Sequence, residues 1–223
     1  MCDPHESSAE TAAAVQAVAG VLQTLAALEA GSIPRSRLFL KEAVSVLRRA
    51  GRTADACLGY RALAHLELRR GHGALAVRAA RSALRLARDT GIPADQDAAS
   101  SLLATVLHSA GAAGEAADAA RDWLFRTRSQ GDLATEQSAL LLVAVAAWDD
   151  GRPAEALGAA EEAVQLVTGQ GIDRFRADLI LAGLLSRAGC VRYGAGSLGR
   201  ILKRNPPPRD EYLCRLERGW TRM

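Results

Sequence analysis

The chain of 223 residues is 49% hydrophobic but only 4% aromatic, and its net charge of +3 is mildly basic. So small an excess excludes, taken alone, the strong electrostatic footprint of a nucleic-acid-binding domain. Cys2, Cys57, Cys190 and Cys214 lie far apart with no C-x-x-C pair, which points to free thiols in a reducing compartment, and so to a cytoplasmic protein.

The first element is an uncharged stretch, Thr11–Leu28, preceded by Asp3, Glu6 and Glu10. An acidic flank is the opposite of the basic start of an export signal, and Gln16, Gln23 and Thr24 suit lipid poorly. The stretch therefore reads as a buried helix from about Glu10 to Ala30, with no membrane association expected. A helix with so little polarity on any side also invites cover by a second copy, so a homodimer through residues 10–30 is a further expectation.

From Gly31 onward the chain is marked by regularly spaced glycines. Gly31, Gly71, Gly111 and Gly151 stand forty residues apart, and Gly51, Gly91, Gly131 and Gly171 repeat that spacing twenty residues out of phase. Glycine is the residue that most easily adopts the left-handed conformation ending a helix, so this spacing predicts helix hairpins laid side by side. Other residues keep the same beat. Ala76, Ala80 and Ala83 follow Gly71; Ala116, Ala120 and Trp123 follow Gly111; Ala156, Ala160 and Ala163 follow Gly151. These offsets place each set on one helix face. The preceding helices carry Leu63-Ala64, Leu103-Ala104 and Val143-Ala144, and small residues at such positions let helix axes approach closely. Upstream, Ser36, Leu40 and Ala43 take the second-helix positions after Gly31.

In the last repeat the pattern slips by two, so that Gly189 takes the turn, with Leu181-Ala182 before it and Gly194, Leu198 and Ile201 after it. Pro206-Pro207-Pro208 ends the array, and Tyr212, Leu216 and Trp220 beyond it form the stripe of a capping helix that starts at Asp210-Glu211. The expected fold is all-α, with about four and a half antiparallel hairpins. Residues 1–205 form the repeat domain, with repeats at about 10–51, 52–91, 92–131, 132–171 and 172–205, and residues 206–223 form the proline break and cap.

The Gly-x4-Ala-x3-Ala-x2-Ala core, with a Leu-small pair in the preceding helix, resembles the tetratricopeptide repeat over roughly residues 57–204. Three features depart from that family. Alanine stands at 80, 120 and 160 where the family carries an aromatic, the proline at the repeat end is missing, and the period is forty instead of the usual thirty-four. The extra length falls around Gly91–Asp95 and Gly131–Ala134, so either the helices or the turns between repeats are longer. Long-period variants of this kind look like the tetratricopeptide-like regions of bacterial transcriptional regulators and peptide sensors. The resemblance implies a right-handed superhelical solenoid whose first helices line a concave groove.

Positions that contact peptides in similar proteins map to Arg61, His65, Arg69, Ser101, Thr105, His108, Leu141, Trp148, Asp149, Arg176 and Arg187. The arginines of that set favour a carboxylate-bearing ligand, and Trp148 with Leu141 would form an apolar patch. The asparagine-dependent carboxylate clamp of chaperone-binding members is absent, because the only asparagine is Asn205.

Candidate chemistry is sparse. Gly194–Gly199 matches G-x-G-x-x-G, but it follows a helical segment and not a strand, so it reads as an accident of small residues and no cofactor is expected. His5, His65, His72 and His108 show no metal-ligand spacing, and Cys57 and Cys190 read as packing thiols. Asp149-Asp150 and Glu161-Glu162 are neighbours in sequence whose side chains point apart on a helix. Arg78, Arg81, Arg85 and Arg88 step three, four, three along one outer face, giving either a solvated surface or a docking patch for an acidic segment or phosphates.

The expectation is a non-catalytic scaffold for a protein or peptide partner. The alternative is a sensory module of a bacterial regulatory system that binds a peptide or small effector. Direct nucleic-acid binding is disfavoured.

Overall fold

The computed structural model describes residues 4–29, 37–166 and 174–202. Among them every element is an α-helix: α1 (Pro4–Glu29), α2 (Arg37–Arg49), α3 (Thr53–Arg69), α4 (Gly73–Thr90), α5 (Pro93–Ser109), α6 (Ala113–Gln130), α7 (Leu133–Asp149), α8 (Pro153–Gln165), α9 (Arg174–Arg187) and α10 (Val191–Leu202). No described helix is long and apolar enough to cross a membrane. The expected break at Pro206-Pro207-Pro208 and the capping helix lie outside the described residues, as do Gly31, Ser36 and Gly171.

The spaced glycines end the helices by a common device. Gly51, Gly71, Gly91, Gly111, Gly131 and Gly151 all have φ between 68° and 80°, a region that costs other L-residues energy. At five helix ends the hydrogen bonds form the two-bond Schellman pattern. After α3, for example, Gly71 N donates to Leu68 O at 2.9 Å and His72 N donates to Glu67 O at 2.9 Å. The same pair of bonds recurs at Gly51, Gly111, Gly151 and Gly189, so the slipped turn at Gly189 is real.

The helices themselves absorb the extra period length. α3, α5 and α7 have 17 residues, while α4 and α6 have 18. The links at Gly91-Ile92 and Gly131-Asp132 are two residues long. Asp132 caps α7, accepting from Ala134 N at 3.1 Å and Thr135 N at 3.3 Å. The Thr135 hydroxyl and the backbone N–H donors hold its carboxyl below the usual range.

The chain divides into two compact units, Met1–Ala112 and Ala113–Met223. The boundary falls in the turn between α5 and α6, inside the third expected repeat. In unit 1 each helix packs on the next, and α3 also touches α1 and α5; in unit 2 the same holds, and α7 touches α9. Ala76, Ala80 and Ala83 are fully buried in α4, and Ala156, Ala160 and Ala163 in α8, on the faces their spacing predicts. Where unit 2 departs from alanine, the indole of Trp123 is enclosed at 4% exposure. Glycine allows closer approach still. A Cβ on Gly59 would stand 2.7 Å from Val44 Cγ2, so α3 can press onto α2 only without one.

The Thr11–Leu28 segment, expected as a buried helix, is buried along one stripe only. Ala14, Ala17, Val21 and Thr24 form the buried stripe of α1, while Val15 and Leu22 are 56% and 51% exposed. Among the described residues only α2 and α3 pack on α1, so one side is left uncovered.

Candidate binding surfaces

In unit 1 the expected contact residues occupy two stripes on touching helices. On α3, Arg61 is half-buried, and His65 and Arg69 are exposed. On α5, Ser101 and His108 are half-buried and Thr105 is exposed, its hydroxyl donating to Ser101 O at 2.8 Å. The backbone explains the match, because positions 61, 65 and 69 recur forty residues later at 101, 105 and 109 on helices of equal length. Arg61 Nε is buried without a hydrogen-bond partner, which leaves its guanidinium with unused donor capacity.

Unit 2 holds the remaining five on α7 and α9. Trp148 is half-buried, and Asp149, Arg176 and Arg187 are exposed. Leu141 requires a correction: at 2% exposure it belongs to the core and offers no surface to a ligand. Its counterparts Ser101 and Arg61, one and two repeats earlier, are half-buried.

Arg78, Arg81, Arg85 and Arg88 are all exposed on α4. The corresponding face of α6 is different in kind. There Arg121 pairs with Asp118 and, at 2.9 Å, with Glu155, while Arg128 pairs with Glu162 and, at 3.1 Å, with Glu136. Phe125 stands between them at 80% exposure. The second unit thus meets its outer arginines with its own carboxylates. Spacing along α6 does not reveal the longer-range pairs, because Glu136 and Glu155 reach across from α7 and α8.

The thiols divide. Cys57 is buried and its Sγ donates to Ala83 O at 3.3 Å. Burial first, and the nearby Asp95 charge second, push its pKa up to about 11 against the pull of Arg61, so it is an inert packing thiol. Cys190 is exposed in the turn before α10, which corrects the packing role expected for it. Gln137 occupies the place of Cys57 eighty residues on, and its amide donates to Ala163 O at 3.1 Å, the counterpart of Ala83. Polar hooks of this kind tie α3 to α4 and α7 to α8 in the middle of an alanine seam.

One feature escaped the sequence. Glu67 is 1% exposed, yet it is ion-paired with Arg37 of α2 and within hydrogen-bond distance of His72 Nδ1 at 2.8 Å. It joins α2, α3 and the turn into α4, and no pattern in the chain marks a glutamate as buried. The G-x-G-x-x-G run lies inside α10; a Cβ on Gly194 would stand 2.9 Å from Ala182 O, so that glycine serves helix contact, while Gly196 and Gly199 face open space.

No protein-family model and no curated protein matches the chain. Solved structures do. A variant of a kinesin light chain from Podospora anserina with nearly identical TPR-like repeats superposes with a TM-score of 0.71 at 15% identity, covering 82% of this chain and 91% of that one. PilF of Pseudomonas aeruginosa gives 0.62 at 16% identity, covering 93% and 90%. A signal transduction ATPase with a tetratricopeptide repeat sensor from Pyrococcus horikoshii gives 0.62 at 16% identity, covering 81% of this chain and 28% of that one. At such identities the likeness speaks for the fold alone: the chain has the fold of a tetratricopeptide-like helical repeat protein.

Proposed function

We propose that the chain is a non-catalytic scaffold that binds an extended acidic segment, from a partner protein or a peptide, along the first helices of its repeats. The observation that carries this reading is the composition of the accessible stripes on α3 and α5. Arg61, His65, Arg69, Ser101, Thr105 and His108 offer cations and hydrogen-bonding groups and include no carboxylate. Helices already formed lose little conformational freedom on binding, so a few anchors can carry most of the affinity. In unit 2, Trp148 is the apolar anchor of this scheme. Trp148→Ala is expected to weaken binding of a segment held there by about 2 kcal/mol without loss of helicity.

A peptide-display selection against the immobilised full chain tests the proposal. It predicts enrichment of sequences rich in Asp and Glu that compete with one another. A selection that enriches nothing, or enriches basic sequences, contradicts it.

The second reading, a sensory module, draws support from the likeness to the repeat sensor of the Pyrococcus horikoshii protein. Stabilisation of the chain by a small metabolite, with no peptide recovered from the selection, would favour that reading. Self-association would use the open side of α1. Sedimentation of the chain and of a Val15→Glu/Leu22→Glu variant measures it, and a monomer in both removes the homodimer.

A further inference from the structure

Between α2 and α3 lies a pocket of about 360 Å³, lined by Lys41, Val44, Ser45, Arg48, Arg49 and Tyr60. Positions 41, 45 and 48 step four then three along α2, so they share one face, with Arg49 beside them. The lining holds three cations and two hydroxyl groups, with no carboxylate. Lys41, Arg48 and Arg49 are exposed and make no ion pair among the described residues.

The repeat itself shows what is missing. Eighty residues on, positions 41 and 48 become Arg121 and Arg128, both neutralised by Asp118, Glu136, Glu155 and Glu162. Stepping those four carboxylates back by the same interval gives Leu38, Ala56, Leu75 and Ser82. Unit 1 has thus kept the cations at these two positions and replaced each of their counter-ions with a neutral residue. It has also added Arg49 where unit 2 carries Ser129, and opened a pocket beside them.

We propose that this pocket binds a small organic phosphate, with the phosphate held by Lys41, Ser45, Arg48 and Arg49 and the organic body resting on Val44 and Tyr60. A phosphate monoester brings close to two negative charges and three acceptor oxygens to one point, which matches converging cationic donors better than a single carboxylate does. The volume lies at the small-molecule end of ligand sites. Val44 is buried and Tyr60 half-buried, so they give the pocket an apolar wall that a bare ion would not use. The site is separate from the first-helix stripes and does not rest on their reading.

Isothermal titration of the full chain with adenosine 5′-monophosphate, glucose 6-phosphate, inorganic phosphate and adenosine tests the proposal. At least one of the two esters should bind saturably with a Kd below about 1 mM, inorganic phosphate about tenfold or more weaker, and adenosine not measurably. Comparison of the two esters tells whether the body is aromatic or sugar-like. Lys41→Gln/Arg48→Gln, substitutions of exposed side chains checked for an unchanged unfolding temperature, should weaken ester binding about tenfold or more, while Arg85→Gln/Arg88→Gln on α4 should leave it intact. Absence of saturable ester binding overturns the site. So does ester binding that survives Lys41→Gln/Arg48→Gln. Inorganic phosphate binding as tightly as both esters overturns the assigned organic body.

Discussion

Cys57 and Glu67 show how single side chains are fixed by their surroundings in unit 1. Burial raises the Cys57 pKa to about 11, so the folded state favours the neutral thiol. Its contribution to stability is therefore complete below the ordinary thiol range near pH 9 and is lost as the pH climbs toward 11. At pH 8 Cys57 is therefore held as the neutral thiol, and the group is sterically covered as well. Alkylation with iodoacetamide at pH 8, followed by mass spectrometry, should label Cys190 at least about a hundredfold faster than Cys57. Equal rates would contradict the packing. Glu67 needs Arg37 for a different reason, since a carboxylate that is 1% exposed must be paired. Arg37→Met should cost about 1–3 kcal/mol in urea unfolding, and adding Glu67→Met should recover most of it. A harmless single substitution would mean that the pair stabilises nothing.

At the scale of the helix, the turn glycines and the helical glycines make opposite predictions. Gly71 has φ +75° and ends α3, so Gly71→Ala should destabilise by about 1 kcal/mol from backbone strain. Gly158 sits inside α8 with open space where a Cβ would go, and Gly158→Ala should stabilise by about 0.5–1 kcal/mol. Thermal unfolding of the two variants checks the pair, and shifts of the same sign would contradict the assignment of their roles. This contrast also explains how the chain can be read. The turns are legible because one backbone conformation selects one residue type at a constant interval, and the alanine faces because close axes select small side chains. Leu141 and the two sides of α1 were misjudged for a common reason. Burial there depends on which neighbouring helix covers the turn, and that is decided by packing at a distance in sequence. Glu136, Glu155 and Glu162, which face Arg121 and Arg128, are likewise invisible to a helix-by-helix reading, since each comes from a neighbouring helix, whereas Asp118 lies on α6 itself.

Taken whole, the molecule distributes charge unevenly between its units. Residues 37–112 carry twelve Arg and Lys against six Asp and Glu, while residues 113–202 carry nine against twelve. The small net charge of the chain conceals this, which is why composition alone did not point to an anionic ligand. Besides the α2 pocket, unit 1 presents cations on two surfaces, the first-helix stripes of α3 and α5 and the outer arginines of α4, and the proposed function assigns the acidic segment to the first of these. Salt should weaken binding at either surface, so salt dependence alone does not distinguish them. Substitution does. The decisive measurement is the affinity of the full chain for a display-selected acidic peptide, compared with Arg61→Ala/Arg69→Ala and with Arg85→Ala/Arg88→Ala. A loss of about tenfold or more in the first variant with little change in the second is the predicted result; unchanged affinity in the first, with the loss falling in the second, would contradict the account.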